Sequence, residues 1–156
     1  MVGENSLKVG NFMFDGEYKH TIDSKGRLMI PSKYRDVIAG EELCILTAFS
    51  DCLSIYPKST FREHTRGLTG ISSTDRKRMR MKRYILSNTR ETDLDPQGRI
   101  LVSKEQREKA GLGKEVIIVG MDDYFEVWDP ERYAEESIYG SNEEMADEAF
   151  ELGFTL

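Results

Sequence analysis

Asp23-Ser24-Lys25-Gly26-Arg27 and Asp95-Pro96-Gln97-Gly98-Arg99 share one spacing, Asp-x-x-Gly-Arg, 72 positions apart. Each follows a β-prone run and leads into an apolar triplet, Leu28-Met29-Ile30 or Ile100-Leu101-Val102. A repeat of this length means one supersecondary unit written twice. The register extends without a gap over His20–Phe61 and Thr92–Tyr133. It pairs Arg35 with Arg107, Ile45 with Ile117, Asp51 with Asp123, Tyr56 with Trp128 and Phe61 with Tyr133. About forty residues cannot bury a convincing core alone. The two copies are therefore expected to pack as one pseudo-twofold unit, a small β-barrel.

Each copy reads in the same order. Glu17–Asp23 alternates, with Tyr18, His20 and Ile22 on one side, and predicts a half-buried strand. Ser24-Lys25-Gly26 turns the chain, Gly26 being free to take positive φ. Arg27–Ile30 is a second short strand, and Ser32 is placed to cap a helix ending at Gly40. Leu43–Ala48 and Cys52–Tyr56 are strands, and Pro57 opens a further helix. The second copy repeats the outline, with Ser103 as helix cap and Pro130 opening the last helix. Between the copies, Ser73 or Thr74 is expected to cap a helix reaching about Leu86. Arg76, Arg80 and Arg83 lie on one stripe of it, and Met81, Tyr84 and Ile85 on another. Ser141–Phe150 predicts an acidic C-terminal helix. The expected division is a flexible extension over 1–12, a first repeat over 13–61, a loop and basic helix over 62–87, a second repeat over 88–133, and an acidic helix and tail over 134–156.

Composition matters mainly through its distribution. Net charge is −6, which by itself argues against a nucleic-acid partner. Yet Lys58–Arg90 holds ten Lys/Arg against Glu63 and Asp75, whereas Asp122–Glu151 holds twelve Asp/Glu and only Arg132. Such asymmetry separates faces of opposite sign. Cys44 and Cys52 sit in apolar runs and read as small buried hydrophobes. His20 and His64, the only histidines, show no zinc-like spacing to them, so no metal and no cofactor is expected. No apolar run reaches the length of a membrane span, and no signal pattern opens the chain, which makes a cytoplasmic protein without membrane partners the expectation. Asp122-Asp123 and Glu135-Glu136 read as solvated carboxylates. No nucleophile pattern or phosphate-cradling loop points to an enzyme.

The residues alone leave two readings of the twin turns. Asp, Gly and Arg suffice for a structural turn in which Asp23, Gly26, Asp95 and Gly98 set the shape. A tight turn that shows Lys25 and Arg27 at its rim is also a compact reader of phosphates or guanine edges. The Arg76/Arg80/Arg83 stripe favours pairing with the acidic C-terminal helix of a neighbouring subunit over DNA, because charge complementarity fixes register between subunits.

Phe14-Asp15-Gly16-Glu17-Tyr18, the turn through Ile30-Pro31, and Asp95-Pro96-Gln97-Gly98-Arg99-Ile100 together resemble the MraZ family of bacterial transcriptional regulators, which are built from two tandem SpoVT-AbrB-type domains. The resemblance spans about Met13 to Phe150. It implies an α+β, mainly β fold: a pseudo-twofold swapped-hairpin barrel with short peripheral helices. It also implies ring-shaped homo-oligomers, commonly octameric, that associate with the nucleoid. These would bind repeated double-stranded promoter boxes upstream of the division and cell-wall gene cluster, including the protein's own operon, in the sense of a repressor. In that family the turns are the DNA-contacting elements, which falls here on Lys25, Arg27 and Arg99, with Lys19 and His20 beside them. Gln97 stands where the first copy has Lys25, so the first copy is expected to be the main reader. The competing expectation is an antitoxin-like or scaffolding ring that binds proteins rather than specific DNA.

Overall fold

The computed structural model of the chain describes residues 12–155; the expected extension therefore lies, except for Phe12, outside the described residues. The first set of elements is β1 (Glu17–Thr21), β2 (Arg27–Met29), α1 (Ser32–Ile38), β3 (Leu43–Leu46), β4 (Leu53–Pro57) and α2 (Lys58–His64). A 3-10 turn at Arg66–Leu68 and helix α3 (Arg76–Ser87) follow. The second set is β5 (Thr89–Thr92), β6 (Arg99–Leu101), α4 (Lys104–Lys109), β7 (Glu115–Gly120), β8 (Phe125–Trp128) and α5 (Pro130–Glu136), and α6 (Asn142–Glu151) ends the series.

The two sets exchange strands. β1 of the first pairs with β7 of the second, and β5 of the second pairs with β3 of the first. β4 and β8 join the halves, which gives one antiparallel sheet in the order β1-β7-β8-β4-β3-β5. Exchanging the repeats reverses that order onto itself, so a pseudo-twofold axis passes between β4 and β8. β2 and β6 make a separate antiparallel ribbon. The fold is thus α+β, with a mainly antiparallel sheet and short helices. Its strands form a six-stranded sheet and a two-stranded ribbon, tied by the bridge Ile22–Leu28.

The gapless register fails in one place. Leu43 and Ile45 of β3 face the main core, and so do Val116 and Ile118 of β7, whereas Ile117 turns to the other side of the sheet. In the ladders, Ile45 lies opposite Ile55 and Ile118 opposite Val127. Ile118, not Ile117, is therefore the counterpart of Ile45. A strand has a side-chain period of two, so a one-residue slip exchanges its faces. The 72-residue spacing would have put Glu115 at the core position of Leu43, and the fold avoids that. The second repeat takes one more residue before β7 and one fewer in the β7–β8 connection.

The main core joins both repeats: Leu28, Ile30, Tyr34 and Leu53 pack with Ile100, Val102, Phe125 and Val127. Phe14 is fully buried. It packs edge-on to Tyr34 at 4.9 Å, and the Tyr34 hydroxyl donates to the Asp15 carbonyl at 2.7 Å. The opposite face of the sheet is closed by two smaller clusters. Phe61 of α2 covers Cys44, Leu46 and Ala48, and Tyr133 of α5 covers Cys52, Ile117 and Trp128. Burial pushes the Cys44 thiol up to about 11 and the Cys52 thiol up to about 12. Both remain protonated at neutral pH.

Several element ends differ from expectation. β1 stops at Thr21 rather than Asp23, and β4 starts at Leu53 and runs into Pro57. Pro31, not Ser32, occupies the cap of α1, with no side-chain bond. The helix closes on Ala39 in the left-handed region, at φ 50°, one residue before Gly40. Asp75, rather than Ser73 or Thr74, caps α3 by accepting from the Arg78 amide at 3.2 Å. A carboxylate at this position also faces the positive end of the helix dipole, an advantage a hydroxyl lacks. Ser103 does cap α4, in a reciprocal box with Gln106. Among the described residues no helix is long and apolar enough to cross a membrane, and no group of three His, Cys, Asp or Glu could hold a metal ion.

Candidate nucleic-acid interface

Both Asp-x-x-Gly-Arg turns are built by one carboxylate. Asp23 Oδ1 accepts from the amides of Lys25 and Arg27, each at 2.9 Å, and Oδ2 accepts from Arg27 Nε at 2.7 Å. Asp95 repeats this with Gln97 at 2.9 Å, Arg99 at 2.8 Å and Arg99 Nε at 2.8 Å. Gly26 and Gly98 both sit near φ +80°, a conformation that L side chains rarely adopt. The Arg27 amide, with its side chain and the Lys25 amide, holds the Asp23 carboxyl below its ordinary value against the opposing effect of desolvation. The Arg99 amide and side chain do the same to Asp95. Both carboxylates are therefore charged at neutral pH, and each arginine is held at Nε by the aspartate of its own turn.

The ribbon then places the two arginines together. Arg27 lies opposite Leu101, and Met29 opposite Arg99. Residues directly opposite one another share a face, as do residues two apart. Arg27, Met29, Arg99 and Leu101 therefore make one outward face, while Leu28 and Ile100 make the buried one. The turns stand at opposite ends: Val102 N donates to Gly26 O at 2.8 Å, and Ile30 N donates to Gly98 O at 3.0 Å. Four residues of strand rise separate them, about 13 Å. A two-stranded ribbon with a guanidinium near each end has the width to enter a major groove and the donors to reach phosphates or guanine.

The turns differ in what their arginines have left over. Arg99 Nη2 also donates to Gln97 Oε1 at 3.3 Å. Among the described residues, the terminal nitrogens of Arg27 make no such bond, and Lys25 stands exposed at the tip.

Each turn is also covered by an arginine of the other repeat. A Cβ added at Gly98 would lie 2.5 Å from Arg35 Cδ, and one at Gly26 would lie 3.6 Å from Arg107 Cζ. Arg35 Nε and Arg107 Nε are buried with no hydrogen-bond partner among the described residues. Two clefts extend the basic surroundings. One, of about 540 Å³, joins Asp23 and Ser24 to Arg107 and Lys114. The other, of about 270 Å³, joins His20 and Met29 to Lys33 and Arg35. Sequence reasoning missed Lys33, Arg35, Arg107 and Lys114. The one available signal was that Arg35 and Arg107 are identical at the repeat spacing.

Of the other expected site residues, Lys19 and His20 both line a cleft with Met29 of the ribbon, and the α3 arginines stand apart from it. Lys19 and His20 are consecutive in β1, so their side chains leave on opposite faces. Lys19 lies beside Ile117, away from the core, whereas His20 is half-buried towards Met29. Burial lowers the His20 pKa, which leaves its ring neutral at pH 7. Arg76, Arg80 and Arg83 form the expected exposed stripe on α3, and none of them lines the clefts beside the ribbon.

Comparison with known proteins decides the family. The family model described as "MraZ protein, putative antitoxin-like" matches twice in tandem, over residues 13–84 and 85–152. The chain belongs to the MraZ family. A Lachnoclostridium phytofermentans protein named transcriptional regulator MraZ is 35% identical over 92% of this chain and 100% of its own length. Relatives of the same name from Finegoldia magna and a Roseiflexus species are 41% and 40% identical, covering 80% and 78% of this chain and 87% and 84% of their own. The two MraZ segments meet at residue 85, inside α3, so the basic helix is the bridge between them.

Proposed function

We propose that this MraZ-family chain is a DNA-binding transcriptional regulator, not an enzyme, and that the outward face of the β2–β6 ribbon is its reading surface. The observation that carries this is the pairing of Arg27 and Arg99 on one face of the ribbon, each half-buried and held at Nε by the aspartate of its own turn. The names of the relatives support a regulator. Arg27 and Lys25 carry most of the contact, and Arg99 assists from the second turn. His20 contributes a neutral ring at the edge of the face. Lys19 makes at most a peripheral contact.

The finer reading is a repressor of the division and cell-wall gene cluster, including its own operon, acting in the cytoplasm on the nucleoid. Its two repeats, 13–61 and 88–133, close into a swapped barrel, joined by the segment 62–87 and followed by the acidic tail 134–156. Copies assemble into a ring, an octamer in the family's usual size, and present the ribbon repeatedly to spaced promoter boxes. Such multivalency turns weak single contacts into useful avidity.

The test is binding of the protein to the DNA upstream of its own gene across a salt series, beside Arg27→Ala. The expected result is salt-sensitive binding by the wild type that weakens sharply in the variant. Failure of the wild type to bind any upstream fragment would favour the protein-binding, antitoxin-like ring instead.

A further inference from the structure

The chain carries two helices that bury little against its own fold. α3 and α6 contribute no buried residue, and no residue of α6 joins any of the three hydrophobic clusters. α3 is anchored only near its C-terminal end. There Ile85 packs on the Cys44–Phe61 cluster, and the Tyr84 ring meets Phe49 edge-on at 5.4 Å. Helices of 12 and 10 residues are marginal in water unless an apolar face is packed.

Their surfaces are complementary. On α3, Arg76, Arg80 and Arg83 fall on one stripe, flanked by Met79 and Leu86 on one side and Tyr84 on the other. On α6, Glu144, Asp147, Glu148 and Glu151 fall on one stripe, with Phe150 beside it. None of these seven charged side chains forms an ion pair among the described residues; the one pair on α3 is Arg78 with its cap Asp75, at 3.5 Å. Large apolar side chains border both stripes in the open: Tyr84 and Leu86 on α3, and Phe150, Leu152 and Phe154 at the end of α6. An exposed cluster of this kind, rimmed by charge, marks a protein interface.

We propose that α3 of one copy docks on α6 of a second copy, arginine stripe against carboxylate stripe, with the flanking aromatic and aliphatic side chains closing over the ion pairs. The two faces are different surfaces of the same chain, so the contact is heterologous. Repeated round an axis it closes a ring, and made reciprocally it gives a twofold dimer. The pairing gives the oligomer of the proposed function its subunit contact, and it does not depend on the ribbon reading DNA.

Charge reversal with complementation tests it. One variant carries Arg76→Glu, Arg80→Glu and Arg83→Glu; another carries Asp147→Lys, Glu148→Lys and Glu151→Lys; a third carries all six changes. Solution mass is measured for each, with circular dichroism to check folding. The wild type is expected to be a multiple of 17.9 kDa. Each single-helix variant should fall to smaller species, and an equimolar mixture of the two, or the six-fold variant alone, should recover the assembly. A monomeric wild type, single-helix variants that keep the wild-type mass, or no recovery in the mixture and in the six-fold variant would each overturn the pairing. A dimer that dissociates and recovers in this way would uphold the pairing and sink the ring. DNA binding by the folded single-helix variants, weakened only through lost avidity, would leave the ribbon reading intact.

Discussion

Asp23 and Asp95 make the same hydrogen bonds in their two turns, yet the turns present different chemistry. In the first, a lysine stands free at the tip and Arg27 uses only Nε within the turn. In the second, a proline stiffens the tip, and Gln97 takes a second donor of Arg99. Their covers differ too. Arg35 presses directly on Gly98, whereas Arg107 stands off Gly26 and a backbone carbonyl, that of Val102, closes the space. The two turns share a scaffold and differ in a few side chains: Lys25 is exposed at the first tip, whereas Gln97 at the second accepts a bond from Arg99.

The largest expected difference between the turns is in DNA binding. Arg27→Ala should weaken binding by about 1–3 kcal/mol per contact, roughly 5- to 150-fold before avidity amplifies it. Arg99→Ala should cost several-fold less, as read by fluorescence anisotropy on the upstream fragment. Equal losses would mean that the Gln97 bond does not restrain Arg99. Next comes stability. Gly26→Ala and Gly98→Ala both force an L residue to φ near +80°, costing about 1–2 kcal/mol. The methyl at residue 26 also meets the Val102 carbonyl oxygen at 2.5 Å, while at residue 98 it meets a movable arginine. Gly26→Ala should therefore lower the urea midpoint more than Gly98→Ala, and the reverse order would show that Arg35 is rigidly held.

A smaller effect tests the asymmetry by gain rather than loss. Gln97→Lys gives the second turn the lysine of the first and frees Arg99 Nη2. Binding should tighten, and the salt slope should steepen by about one counterion per subunit engaged. An unchanged slope would place the second turn away from the phosphates. Smallest at neutral pH is the acid limb. Asp23 and Asp95 are both held below their ordinary values by amide donors and by their arginines. Their contribution to stability is full above the ordinary carboxylate range and is lost as pH falls through the depressed folded values, below about pH 4. Asp23→Asn and Asp95→Asn should each flatten the acid side of a stability–pH profile, and no flattening in either would show that its carboxylate is unperturbed.

Much of this was legible in the sequence because the turn motif is local. An aspartate two and four residues before the amides it receives, and a glycine where φ turns positive, are visible in Asp23–Arg27 without any tertiary knowledge. The half-buried alternation of β1 and the helix cap at Ser103 were legible for the same reason. The exchange of β1 and β5 between repeats was not, because a strand's pattern shows which face is buried but not which neighbour it pairs with. The slip at β7 left one trace, Glu115 standing where Leu43 would require an apolar residue, but in a run as apolar as Val116–Val119 either register reads as a strand. The covers at Arg35 and Arg107 are helix residues whose role exists only because the ribbon carries each turn to the other repeat.

The central claim, that the outward ribbon face meets DNA, is tested most directly by attaching a photo-crosslinker at Leu101→Cys. Leu101 is exposed and stands opposite Arg27, and the native thiols of Cys44 and Cys52 are buried and resist labelling. A matched probe at Leu86→Cys on α3 serves as the comparison. The prediction is crosslinking to the upstream DNA from position 101 and little from position 86. Efficient crosslinking from position 86 with none from 101 would contradict it and move the reading surface to the basic helix.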